Sequence, residues 1–148
     1  MAEMDTRALA RDMVRQFAGE GGDMGTMAEA QPMMTALLEQ VAAPGFEVVM
    51  QGRPPTPAQR YSGVGGLAEA WGDYGEAFEE VRVVLHELRE SDTHLVLLVD
   101  QRAITHHDRV EISQPSAMLF EFDGEERIAR AEFHLDQVEA LRVAGLGP

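Results

Sequence analysis

The period of the apolar residues changes at Val81, and this change restricts the fold more than any other feature of the chain. Up to Phe78, apolar side chains recur every three to four positions, as an amphipathic helix requires. Beyond Val81 they recur every second position and are rich in β-branched and aromatic types, as half-buried strands require. Helices first and a sheet afterwards predict an α+β architecture rather than alternating βαβ units.

The helical half divides into three segments. Residues 5–18 place Leu9, Ala10, Met13, Val14 and Phe17 on one face, and the glycines from Gly19 end the run. Residues 23–43 carry Met27, Met34, Leu37, Leu38 and Val41, with Pro32 marking a kink or a fresh start. A strand-like Phe46–Gln51 leads into Gly52-Arg53-Pro54-Pro55-Thr56-Pro57, whose prolines predict a surface loop. Ser62 is the expected N-cap of a third helix carrying Val64, Leu67, Ala68, Trp71, Tyr74 and Phe78. Four strands are expected at 80–88, 94–105, 109–122 and 126–135, joined by short turns and therefore mostly antiparallel. Pro115 is expected at a bulge, and Asp136 with Glu139 reads as the capping box of a closing helix.

Composition narrows the chemistry. The chain has 148 residues, the length of one domain. All 12 basic residues are Arg, so lysine Schiff bases and a Gly-Lys phosphate loop are excluded. Cysteine is absent, which removes thiolate nucleophiles, disulfides and cysteine-held metals. A formal net charge of -14 with no basic stripe argues against nucleic acid as a partner. Apolar runs such as Leu95–Val99 are strand-sized, and Glu3 and Asp5 stand where a signal peptide needs positive charge. No membrane segment is expected, and a cytoplasmic location is the simplest expectation.

Tyr61-Ser62-Gly63 opening a helix with Gly66, Trp71 and Phe78, then Asp123-Gly124 with Arg127-Ile128, set a recognisable frame. The ending Glu132-Phe133-His134-Leu135-Asp136, followed by Glu139-Ala140-Leu141 and Gly145-Leu146, completes it. In these features the chain resembles the SnoaL-like polyketide cyclases of the nuclear transport factor 2-like superfamily over nearly its whole length. The resemblance implies a curved sheet wrapped around helices into a cone, an apolar cavity, and a homodimer formed through the sheet.

Candidate chemistry centres on Asp100 and Arg102, which interrupt an apolar central strand. Two apart, they share a face with Val96, Leu98 and Ile104, and that face is expected to line the cavity. Desolvation would raise the Asp100 pKa and the Arg102 charge would lower it, so the carboxylate reads as a poised base or as a fixed anchor. An ion pair at the strand end or at a dimer face is the structural alternative. The resemblance extends to limonene epoxide hydrolases, which carry Arg-x-Asp where this chain has Asp-x-Arg. Phe133 stands where their catalytic carboxylate belongs, and Val49-x-Gln51 stands at their water-holding Tyr-x-Asn, so epoxide hydrolysis is not expected.

The histidines offer less. His106-His107-Asp108 fits a solvated turn, His86 a satisfied or surface position, and no metal site is expected. On the last strand Arg130, Glu132 and His134 share one face and Phe133 the other, so His134 is a reserve catalytic candidate that points outward unless the faces are reversed. Gly63-Val64-Gly65-Gly66 lacks a preceding parallel strand and reads as a helix start rather than a phosphate loop. Trp71, Met118, Phe120 and Phe133, with Met33, Met34 and Met50, supply an adaptable apolar lining. The expected activity is cofactor-independent proton transfer on a small hydrophobic, carbonyl-bearing molecule, as in an aldol cyclisation or isomerisation. The rival expectation is a non-catalytic ligand-binding or dimerisation module of the same fold.

Overall fold

A computed structural model describes residues 6–17, 20–51, 58–76 and 78–146. The first helix, α1 (Thr6–Phe17), ends before the glycines, and a single 3-10 turn (Glu20–Gly22) follows. That turn packs against the sheet so closely that a Cβ on Gly22 would stand 2.0 Å from the Leu85 carbonyl oxygen. Gly22 also has φ +82°, so no other residue fits there.

The second helix begins later than its sequence period predicts. Residues Asp23–Thr26 form a short edge strand, β1, and α2 spans Met27–Val41. Thr26 is the reason: its hydroxyl accepts from the Glu29 N–H while Glu29 Oε1 accepts from the Thr26 N–H, a full capping box. Pro32 lies inside the helix on its exposed side. The chain then enters β2 (Ala42–Met50), and the proline-rich stretch 52–57 lies outside the described residues.

A second short strand, β3 (Gln59–Ser62), pairs antiparallel with β2. Its four residues are mostly polar and carry no alternation, which is why the sequence gives no sign of it. Ser62 is thus the end of a strand and not an N-cap; α3 (Gly65–Gly75) starts without a side-chain cap. Packing holds it instead, since a Cβ on Gly66 would come within 2.8 Å of Tyr61 Cβ.

The long strands follow: β4 (Phe78–Glu90), β5 (His94–Thr105), β6 (Glu111–Phe122) and β7 (Ile128–His134). The sheet order is β1-β4-β5-β6-β7-β2-β3, antiparallel throughout except for the parallel pair β2–β7. Register shifts in β4 near Leu85 and between β6 and β7 near Phe122 give the sheet its curvature. Pro115 causes no such shift. It pairs in regular register with Asp100, and β7 reaches only as far as Ala117, so on that side Pro115 sits on an edge where its missing N–H costs no ladder bond.

The concave face of the sheet buries Leu95, Leu97, Val99, Met118, Phe120 and Phe122 against α1, α2 and α3. The outer face carries a smaller core: Val96, Leu98, Ala117 and Leu119 beneath Ala140 and Ala144 of the closing helix α4 (Gln137–Val143) and its end. Asp136 caps α4 by accepting from the Val138 and Glu139 N–H groups, as its sequence position predicts. Arg7 pins α1 over the hairpin ends, donating to the Ser91 carbonyl at 3.0 Å and stacking 4.6 Å from the Phe122 ring.

Candidate functional site: an aromatic cavity inside the curved sheet

Inside the curve lies a cavity of about 420 Å³. Its apolar wall is built from Met27, Met50, Trp71, Val83, Met118 and Phe133. Trp71 and Phe133 meet edge to face with ring centroids 5.7 Å apart, fixing two rings at the base of the wall. Gln51, Trp71, Met118 and Phe133 all line the cavity. Phe120 shares their face but lies 2% exposed in the core behind it.

Asp100 and Arg102 do not reach this cavity. Their parity places them on the outer face with Val96 and Leu98, the face on part of which α4 packs. Asp100 accepts from the Ser113 hydroxyl at 2.9 Å and pairs with Arg102 at 3.5 Å, and Arg102 borders a surface recess with Glu80, Arg82 and Ile104. Asp100 and Arg102 thus form an ion pair on the outer face, away from the cavity. Strand β5 is buried on both faces, so its apolar run carried no alternation from which to choose the cavity side.

The residue between them points inward. Gln101 lines the cavity and anchors a chain of hydrogen bonds: the Tyr74 hydroxyl donates to Gln101 Oε1 at 2.7 Å, Gln101 Nε2 donates to Ser116 Oγ at 2.9 Å, and the Ser116 hydroxyl donates to the Gln114 carbonyl at 3.2 Å. Ser116 is 2% exposed, so this chain satisfies groups that would otherwise be buried without partners.

At the exposed rim, the Tyr61 hydroxyl lies 2.9 Å from Asp73 Oδ2 and 3.0 Å from Gln59 Oε1. One hydroxyl carries one proton, and the charged carboxylate is the stronger acceptor. Burial, and then the Asp73 carboxylate beside it, push the Tyr61 phenol above its ordinary pKa, so it keeps its proton. Tyr61 comes from β3 and Asp73 from α3, and the close approach at Gly66 sets the distance between them. Glu76 completes the rim. Of these polar residues only Tyr74 was placed on an apolar helix face by the sequence period, and Tyr61 belongs to a strand the sequence does not announce. Asp73 could have been found as the neighbour of Tyr74 on the same helical turn.

His134 lies at the end of β7 and borders both this cavity and an outer groove of about 880 Å³ next to α4. Its pairing with Ala117 puts the side chain on the outer face with Glu132. The alternation read from the sequence therefore holds, with Phe133 inward and Glu132 and His134 outward. His134 Nε2 is 3.1 Å from Glu132 Oε2; an ionised carboxylate only accepts, so Nε2 carries the proton. That bond, helped by Arg130 and opposed by burial, holds the Glu132 carboxyl below its usual pKa. Arg130 in turn binds Glu47 at 2.9 Å, and Arg60 binds the same carboxylate at 2.8 Å, so His134 ends a chain of ion pairs across β7, β2 and β3.

Among the described residues no cluster of three metal-ligating side chains forms, and no helix is long and apolar enough to cross a membrane. His106, His107 and Asp108 lie in an exposed turn.

No family model and no curated protein sequence matches the chain. Solved structures do. A nuclear transport factor 2-like protein of unknown function from Burkholderia pseudomallei superposes with a TM-score of 0.61 at 16% identity, covering 96% of this chain and 98% of its own. A putative SnoaL-like polyketide cyclase from Jannaschia superposes with a TM-score of 0.59 at 15% identity, covering 100% and 99%. A hypothetical protein with a ketosteroid isomerase-like fold from Catenulispora acidiphila, solved in complex with trimethylamine, gives a TM-score of 0.56 at 13% identity, covering 93% and 92%. Together with the curved, mostly antiparallel sheet closed over helices, these end-to-end superpositions establish that the chain has the α+β fold of the nuclear transport factor 2-like proteins.

Proposed function

We propose that this protein binds a small, largely apolar, carbonyl-bearing molecule in the cavity beside Trp71 and moves a proton on it, with Asp73 as the base. The observation that carries this reading is the carboxylate–phenol pair, 2.9 Å apart, on the lip of a 420 Å³ cavity with aromatic and thioether walls. A volume of that size falls in the range of about 300–1,000 Å³ in which small-molecule sites are found. The trimethylamine complex of the Catenulispora neighbour supports small-molecule binding by this fold.

In the proposed step Asp73 takes the proton from the carbon next to the carbonyl, and the electron pair of that bond moves onto the carbonyl oxygen as an enolate. A protonated Asp73 holds the Tyr61 hydroxyl less strongly, so that hydroxyl can turn and donate to the enolate oxygen. Asp73 then returns its proton to carbon. Gln51 and Gln59 are the amides at hand to orient the carbonyl. The proposed base is therefore Asp73 on the cavity rim, not Asp100, which lies on the outer face.

Asp73→Asn is the test, read with a bound ketone in D2O. The expected result is loss of deuterium uptake at the α-carbon, with quenching of Trp71, the one tryptophan of the chain, retained. Unchanged uptake removes Asp73 as base. Quenching without uptake in the native protein selects the non-catalytic binding module instead.

Homodimerisation is the second part of the proposal, through the outer sheet face. On that face α4 covers Val96 and Leu98, while Val84 and Ile104 lie half-buried beside Arg82 and Arg102 around an open recess.

A further inference from the structure

The direction of the hydrogen bonds around the cavity determines what polar group a ligand can bring. A hydroxyl donates once, and each hydroxyl proton in the wall network is committed: Tyr61 to Asp73, Tyr74 to Gln101, and Ser116 to the Gln114 carbonyl. The rim adds two carboxylates, Asp73 and Glu76, both exposed, and Glu69 on the same helix contributes a third negative charge near Tyr61. Among the described residues lining the cavity there is no Arg, and the chain has no Lys. The bundle of charges at Arg60, Arg130 and Glu132 is self-contained on the other side of β7 and β2. Beside the Gln51 and Gln59 amides, which a carbonyl takes up, the wall offers negative charge and ring faces, and the complement of both is a cation.

We propose that the molecule bound in this cavity carries a positively charged nitrogen, an alkylammonium group, in addition to its carbonyl. This rests on the cavity reading above and narrows its ligand class. Trp71, Phe133, Tyr61 and Tyr74 supply aromatic surface in the wall; ring faces attract a desolvated ammonium, and methylated nitrogen gives up its water at less cost than a bare ammonium. The rim carboxylates hold the same charge at the mouth, where water screens them and the attraction falls with salt.

The probes are acetylcholine and its uncharged carbon isostere, 3,3-dimethylbutyl acetate, which share shape and carbonyl and differ in charge. Binding is followed by Trp71 fluorescence. The cation is expected to bind about tenfold more tightly than the isostere at low salt. That preference is expected to shrink several-fold in Asp73→Asn/Glu76→Gln and as salt is raised. Asp100→Asn removes the same charge from the outer face, and it is expected to leave the preference intact, which separates the rim from the net charge of the molecule. Equal or tighter binding of the uncharged isostere overturns the inference and leaves the cavity reading standing. A preference lost equally in Asp100→Asn also overturns it. Failure of both probes to perturb Trp71 up to millimolar concentration removes the cavity reading and this inference together.

Discussion

A parity of one residue separates Asp100 from Gln101 and decides which of them meets the cavity. His94 shows how the same parity sets a titration. It sits on the outer face, 8% exposed, with Nδ1 at 2.7 Å from the Thr93 hydroxyl, and burial pushes its pKa down. Glu121 and Glu132 act against that shift and Arg130 acts with it. Because the folded pKa is lowered below the ordinary value of 6.5, the unfolded chain binds the proton first as pH falls. His94 thus favours the fold above that value, and the contribution is lost as pH drops from there through the folded pKa. In His94→Gln the melting temperature should fall less between pH 7 and pH 5 than in the native protein. An identical fall in both would show that His94 is not a term in the pH dependence.

At the scale of elements, the boundaries that were legible are written in side-chain chemistry, although the Thr26–Glu29 capping box that starts α2 is masked by the helical period running on either side of it. The Asp136 cap, the Asp123-Gly124 turn, where Asp123 Oδ1 accepts from the Glu125 and Arg127 N–H groups, and the four long strands could all be read from the chain. The edge strands β1 and β3 could not, because four residues held by backbone pairing leave no period. The candidate site suffers from the same blindness. Its apolar wall was legible in Trp71, Met118 and Phe133, whereas Tyr61 depends on β3 and Gln101 on which side of a doubly buried strand is concave. Gly66 joins the two scales, since its hydrogen leaves room for Tyr61 to stand against α3. Gly66→Ala should cost about 1–3 kcal/mol by overpacking and shift Tyr61 away from Asp73, measurable by thermal unfolding and by weaker ligand quenching of Trp71. A fully stable variant with native quenching would mean that α3 and β3 are not tightly coupled.

For the whole molecule, the sheet divides labour between its faces: the concave side holds the cavity, and the outer side holds α4, the ion-pair chain and a partly covered apolar strip. If a second copy covers that strip, light scattering after gel filtration should give twice the chain mass, and Ile104→Glu should return it to the monomer with the cavity still able to bind. A native monomer at tens of micromolar would set the dimer aside. The most direct measurement is a nitrogen–proton correlation spectrum of the protein with carbonyl-bearing fragments, followed at the single Trp71 indole N–H and at the Gln101 side-chain amide. Binding in the concave cavity predicts that fragments shift both while leaving the Arg102 Nε–H unmoved. Fragments that shift Arg102 and leave Trp71 and Gln101 unmoved would put the functional surface on the outer face and contradict the assignment of the site.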